Sequence, residues 1–188
     1  MPTWSNKMTT PRRPRESGPR SLPLHYEAGA VVSAPAQVTF DYVDDHERLS
    51  SHMSRSSWMM GKGRMTTEID AGRGQQLGSV IRLTGRVLGI RLSVAEKVTE
   101  RDAPRRKVWE TTDPPRLLVV GHYRMGFEIT PRGRDSQLRI FIDYALPDSM
   151  PARWLGRLFG DFYARWCTQQ MVEGVAAHFN HAGLRAPV

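Results

Sequence analysis

The stretch Pro151 to Phe179, PARWLGRLFGDFYARWCTQQMVEGVAAHF, has a helical period. Leu155, Leu158, Phe159, Phe162 and Trp166 recur at spacings of three and four, while Arg157, Asp161, Arg165 and Thr168 repeat on the opposite side. That is an amphipathic helix with one face to bury. Asp148 or Ser149 can cap its first turn, Pro151 is tolerated where its missing N–H would be unpaired anyway, and Asn180 or Gly183 can end it. Between the two faces runs a line of small residues, Gly156, Gly160 and Ala164. Each mid-helix glycine costs about 1 kcal/mol relative to alanine, so the line suits a close approach by something packed against the helix. Beyond Met171 the apolar phase drifts towards Val172, Val175 and Phe179, and the last turns are expected to pack against a different element.

Upstream of this helix the period changes to two. Strands are expected over Leu24–Ser33, Met65–Asp70, Gly78–Val87, Ile90–Arg101, Arg105–Thr112, Arg116–Thr130 and Ser136–Leu146. The breaks Leu88-Gly89, Asp102-Ala103-Pro104, Asp113-Pro114-Pro115 and Arg132-Gly133-Arg134-Asp135 are turn sequences too short for parallel crossovers, so the strands form an antiparallel meander. Tyr123, Met125, Phe127 and Ile129 alternate with polar residues, as do Leu138, Ile140, Ile142 and Tyr144, which gives the sheet one apolar face. Pro35 opens a short helix carrying Val38, Tyr42 and Val43, and a second short helix is expected over Asp45–Met53. The expected class is α+β: a curved antiparallel seven-stranded sheet wrapped around the long C-terminal helix, with two short N-terminal helices. Such layers can leave a cavity between them, with the loop carrying Trp58, Met59 and Met60 at its mouth.

With 188 residues, 39% of them hydrophobic, the chain can form one domain over residues 24–180, between a basic tail at 1–23 and a short C-terminal tail at 181–188. The N-terminal tail, rich in Pro, Arg and Ser, buries too little apolar surface to order itself. It is read as a solubilising leader or as an arm for weak contact with an anionic membrane. No apolar run reaches the roughly 18–20 residues of a bilayer span, and the N-terminus lacks the hydrophobic centre of a secretory signal, so a cytoplasmic protein is expected. The single cysteine, Cys167, excludes an internal disulfide and a cysteine-based zinc cage. The net charge of +8 favours anionic partners without choosing among them.

The order of elements, together with Ser33-Ala34-Pro35, Val38, Phe40, Val43-Asp44 and Arg48-Leu49, then Gly78-Ser79, Val98-Thr99-Glu100, Val108-Trp109-Glu110, Tyr123 to Phe127 and Tyr144-Ala145-Leu146-Pro147 leading into Trp154-Leu155, resembles the helix-grip fold of the START-related SRPBCC superfamily. Its polyketide cyclase/dehydrase-like and lipid-transfer branch is the nearest in pattern. Where many members place a tryptophan after the first helices, this chain has His52 and Met53. The resemblance implies a hydrophobic pocket between sheet and long helix but carries no set of reacting residues across.

Candidate pocket residues come from pattern alone: Tyr123, Met125, Phe127, Ile142 and Tyr144 from the sheet, Leu155, Leu158, Phe162 and Trp166 from the helix, and Trp58 at the mouth. Tyr123 and Tyr144 stand out, because a buried phenol needs a hydrogen-bond partner and a ligand oxygen can supply it. Gly61, Gly63, Gly72 and Gly74 make no phosphate loop, and no Gly-x-Ser-x-Gly elbow occurs. The histidines lack metal-ligand spacing, so no metal and no cofactor is implied. The first expectation is therefore a protein that encloses a hydrophobic small molecule such as a lipid, quinone or polyketide-like aromatic. A cyclase/dehydratase-type enzyme using the same cavity is the alternative and requires an ionisable side chain facing inward, with Tyr123, Tyr144 and His122 as candidates. Nucleic-acid binding ranks last, since aromatics are not interleaved with the basic residues.

Overall fold

The computed structural model describes residues 21–49, 64–87 and 89–183. The tail through Arg20, the Trp58 loop and the residues from Leu184 onward lie outside the described residues. The elements in chain order are β1 (Leu24–Val32), α1 (Ala36–Val43), α2 (His46–Leu49), β2 (Arg64–Ile69), β3 (Val80–Val87), β4 (Ile90–Asp102), β5 (Arg106–Thr111), β6 (Tyr123–Arg132), β7 (Asp135–Tyr144) and α3 (Met150–Gly183). The strands make one antiparallel seven-stranded sheet in the order β1-β7-β6-β5-β4-β3-β2. The α+β architecture expected from the sequence is the one observed. Hairpin chemistry explains the register: Arg132 pairs with Asp135 across a two-residue connection whose Gly133 has a φ of 67°, a conformation that glycine adopts without steric cost.

Two expectations need correction. The strand expected over Arg116–Thr130 begins only at Tyr123, because the chain leaves the sheet after an isolated Arg116–Ser93 bridge and runs beneath α3 instead. Gly121 ends that run pressed against the Leu146 carbonyl, where an added Cβ would lie 2.6 Å from the oxygen. The second short helix runs over His46–Leu49, and positions 50–53 of its expected span lie outside the described residues.

The second correction concerns the face of α3. Trp154, Leu158 and Phe162 are 64%, 55% and 55% exposed, and Leu155 and Phe159 share that outer side. The small residues face inward. A Cβ on Gly156 would sit 2.8 Å from the Val119 carbonyl oxygen, and one on Gly160 3.1 Å from the same atom. The glycine line thus lets α3 seat backbone against backbone, and the buried face continues through Ala164, Cys167, Thr168, Met171, Val172 and Val175. Bulky residues at positions 156 and 160 would hold the helix away from the 117–120 run. At the far end Tyr42 of α1 stacks on His178 at 4.2 Å and meets Phe179 edge-on at 5.3 Å, so the drifting phase is met by α1.

This seating predicts opposite outcomes for two chemically identical substitutions. Gly174 has nothing within 4 Å of an added Cβ. Gly174→Ala should therefore stabilise the protein by about 1 kcal/mol in urea unfolding, from helix propensity alone. Gly156→Ala should destabilise it by about 1–3 kcal/mol, because the Val119 backbone has to move.

Candidate functional site

Alternation along β4 turns Leu92, Val94, Glu96 and Val98 inward. Glu96 is thus an acid in an apolar phase. β6 directs Tyr123 to the same place, and its hydroxyl donates a short hydrogen bond to Glu96 Oε1. The third member arrives from α2: His46 Nε2 lies 3.4 Å from Glu96 Oε2, and the imidazole packs edge-on against Trp109 with ring centres 5.3 Å apart. His46 and Glu96 are 2% and 3% exposed.

The α1–α2 corner that carries His46 is fixed by Asp44. Its carboxylate accepts from Arg101 Nη2 at 2.8 Å and pairs with Lys107 Nζ at 2.9 Å, while Lys107 also donates to the Asp44 carbonyl at 2.7 Å. Burial pulls the Lys107 ammonium below the ordinary lysine range, and the Asp44 contacts oppose that pull.

His46, Glu96 and Tyr123 border a small cavity of about 50 Å³. Its other walls are Leu83 and Val94, Trp109, Leu117 and Val120, Met125 and Ile142, with Tyr163, Cys167 and Met171 of α3 across the space. Nearly all of this lining is apolar. Burial, reinforced by the negative charge of Glu96, raises the Tyr123 phenol well above its ordinary range, so it remains a proton donor at neutral pH. Burial raises Tyr163 in the same way and pushes the Cys167 thiol up to about 12. A carboxyl between an imidazole and a phenol inside an apolar wall can take up or pass on a proton.

Of the residues expected to line a pocket, Tyr123, Met125 and Ile142 do so. Phe127 is fully buried against Phe40 and Trp109 in the core, and Tyr144 is buried beside Gly160 under the helix. Trp166 is half-buried, 6.0 Å from the Tyr163 ring. Leu155, Leu158 and Phe162 lie on the outer side of α3 away from the cavity, since the glycine line took the inward position. Trp58 lies outside the described residues. His122 bonds Thr111 Oγ1 at 3.0 Å and does not border the cavity. Sequence reasoning missed Glu96, although its place among Leu92, Val94 and Val98 is a legible signal. It missed His46 in this role for want of any local signal. Among the described residues no cluster of three His, Cys, Asp or Glu side chains is arranged to hold a metal ion, and no helix is long and apolar enough to cross a membrane.

Residues 23–179 match the profile of the family described as polyketide cyclase / dehydrase and lipid transport. The chain belongs to this family. None of the curated proteins matches it at a significant level. Solved structures of the same shape include the aromatase/cyclase Zhui from a Streptomyces species, at a TM-score of 0.65 and 16% identity over 87% of this chain and 96% of that one. Norcoclaurine synthase from Thalictrum flavum superposes at a TM-score of 0.57 and 16% identity, covering 87% of each chain. The ginseng major latex-like protein from Panax ginseng does so at 0.53 and 12% identity, covering 82% of this chain and 96% of that one. At such identities these likenesses show the helix-grip fold alone.

The burial of Cys167 gives a direct check on the wall of α3. Iodoacetamide at pH 8 should leave the native thiol unmodified over hours, because a thiol with a pKa near 12 is almost wholly protonated there, and should label it promptly in urea. Prompt labelling of the folded protein would place Cys167 outside the cavity wall.

Proposed function

We propose that this chain binds a small, mainly apolar molecule bearing an oxygen function, of quinone or polyketide-like aromatic type, between the sheet and α3. The observation that carries this reading is the apolar cavity onto which one carboxyl, one imidazole and one phenol converge. The family description and the aromatase/cyclase neighbour support it. At about 50 Å³ the space is far below the roughly 300–1,000 Å³ of pockets for drug-sized ligands, so the ligand enters with displacement of a wall. The first turns of α3 suit that movement: they rest on glycine-to-carbonyl contacts at Val119, and their outer face is exposed. A compact aromatic fits this arrangement better than a long acyl chain.

The test uses Trp109, which borders the cavity. A hydroxynaphthoquinone probe should quench tryptophan fluorescence saturably, and organic-solvent extraction of the purified protein should release a discrete apolar compound detectable by mass spectrometry. Cys167→Leu, which narrows the cavity, should abolish both while the protein still melts cooperatively. Unsaturable quenching together with an empty extract would sink the reading.

One observation favours a second reading, acid–base catalysis of the cyclase/dehydratase type on the same ligand class. An ionisable group does reach the cavity, in the form of Glu96. As a base, Glu96 would take a proton from a carbon flanked by carbonyls, with Tyr123 and His46 placed to return one to an oxygen. Glu96→Gln keeps the shape and removes the base. It should preserve quinone binding and lower conversion of a poly-β-ketone thioester by about 10²–10⁴-fold; unchanged conversion would remove Glu96 as the base, and a parent no faster than the protein-free reaction would leave binding as the whole function.

A further inference from the structure

The outer face of the sheet has two electrostatic regimes. Over β1 and β5–β7 outward arginines meet acids: Arg106 pairs with Glu100 and Glu128, Arg124 with Glu110, and Arg139 with Glu27 and Glu128. At the other end the pattern reverses. Arg86 of β3 stands directly opposite Arg91 of β4, so two arginines face each other across the ladder. Like charges directly opposite destabilise a ladder, and the described residues offer no relief here. The next row on the same face is Thr66, Thr84 and Ser93, all hydroxyl-bearing, and Ser93 bridges to Arg116. The acid on this face, Glu68, stands a row further on, opposite Arg82.

Thr66, Thr84, Arg86, Arg91, Ser93 and Arg116, together with Gly85 and Leu92, border an open groove of about 510 Å³, and among the described residues no carboxylate lines it. Among the described residues, Arg86, Arg91 and Arg116 form no ion pair. We propose that this groove binds the phosphate group of a small phosphorylated molecule or a lipid headgroup. Three guanidiniums supply charge and paired donors, and the hydroxyls supply further donors to oxygens that two-oxygen carboxylates lack. A neutral ligand would leave the opposed arginines unrelieved. Among the described residues no aromatic side chain lines the groove to stack a nucleobase, which argues against single-stranded nucleic acid. Among the described residues the groove and the interior cavity share no lining residue: Leu92 of β4 borders the groove and Val94 borders the cavity.

The test compares the full chain with the double variant Arg86→Gln, Arg91→Gln. Titration with inorganic pyrophosphate at low salt, followed by backbone amide NMR, should give saturable shifts confined to residues around Thr84, Arg91, Ser93 and Arg116. The double variant should bind roughly tenfold more weakly or worse, and should melt no lower than the parent, since opposed like charges have been removed. Co-sedimentation with phosphatidylcholine vesicles doped with phosphatidic acid, against vesicles doped with phosphatidylserine, distinguishes the source. Preference for phosphatidic acid that the double variant loses identifies a lipid headgroup, while pyrophosphate binding without sedimentation identifies a soluble phosphate. Equal sedimentation with both lipids, unsaturable shifts, undiminished binding by the double variant, or saturable binding only to single-stranded RNA would each overturn the proposal.

Discussion

The architecture depends on how closely α3 can approach the chain beneath it. Two glycines one turn apart bring the helix backbone onto the Val119 carbonyl, at a separation that no side chain permits. That contact decides which residues of α3 look inward, and so it selects Tyr163, Cys167 and Met171 as a wall of the cavity. It also turns Trp154, Leu155, Leu158, Phe159 and Phe162 outward, forgoing burial that is worth about 1.5–3 kcal/mol for each large side chain fully removed from water. Helix propensity opposes the glycines by about 1 kcal/mol each. The close seat is therefore sustained by packing further along, where Ala164, Val172 and Val175 are sealed into the main core.

A second constraint places the polar groups. Lys107 is among the largest side chains fully removed from water, and an unpaired ammonium there would be strongly destabilising. Asp44 supplies both a carboxylate and its own carbonyl, and Arg101 completes the cluster from β4. Three charges on three elements thus lock the α1–α2 corner to the sheet. His46 follows Asp44 by two residues, so the imidazole is carried to Glu96 by a fixture whose charges lie outside the cavity. Removing Asp44 would strand Lys107 and loosen His46 together, and this coupling makes positioning hard to separate from stability at that corner.

The meander from β2 to β7 was readable because alternation and turn chemistry are local: pairing sense and one apolar face follow from residues within a few positions of each other, whereas the place of β1 beside β7 joins distant parts of the chain and had no local signal. The long helix was readable in extent and misread in orientation. Hydrophobic periodicity ranks faces by side-chain size, whereas the observed face was chosen by the absence of side chains at Gly156 and Gly160, a condition that depends on Val119 some forty residues away. The candidate pocket inherited that error on the helix and escaped it on the sheet, where Tyr123, Met125 and Ile142 do border the cavity. Glu96 was legible as an acid in an apolar phase. His46 was not, since its proximity to Glu96 is made by the Asp44 cluster and by no local pattern.

Sequences that fold well satisfy local rules nearly everywhere, and departures either carry an internal compensation or mark a site of function. This chain departs in four places. Glycines inside α3 are compensated by the close seat, and the buried Lys107 is compensated by Asp44. Glu96 is compensated only in part: one oxygen accepts from Tyr123, while the other accepts no hydrogen bond and faces His46 at the long distance of 3.4 Å. The arginines facing one another across β3 and β4 receive no compensation from the described residues. The first two departures are complete within the chain and explain structure. The last two stay open at a surface where something else can enter, one facing the interior and one facing solvent, and they ask for opposite chemistry: an apolar molecule with a polar handle inside, and an anion outside.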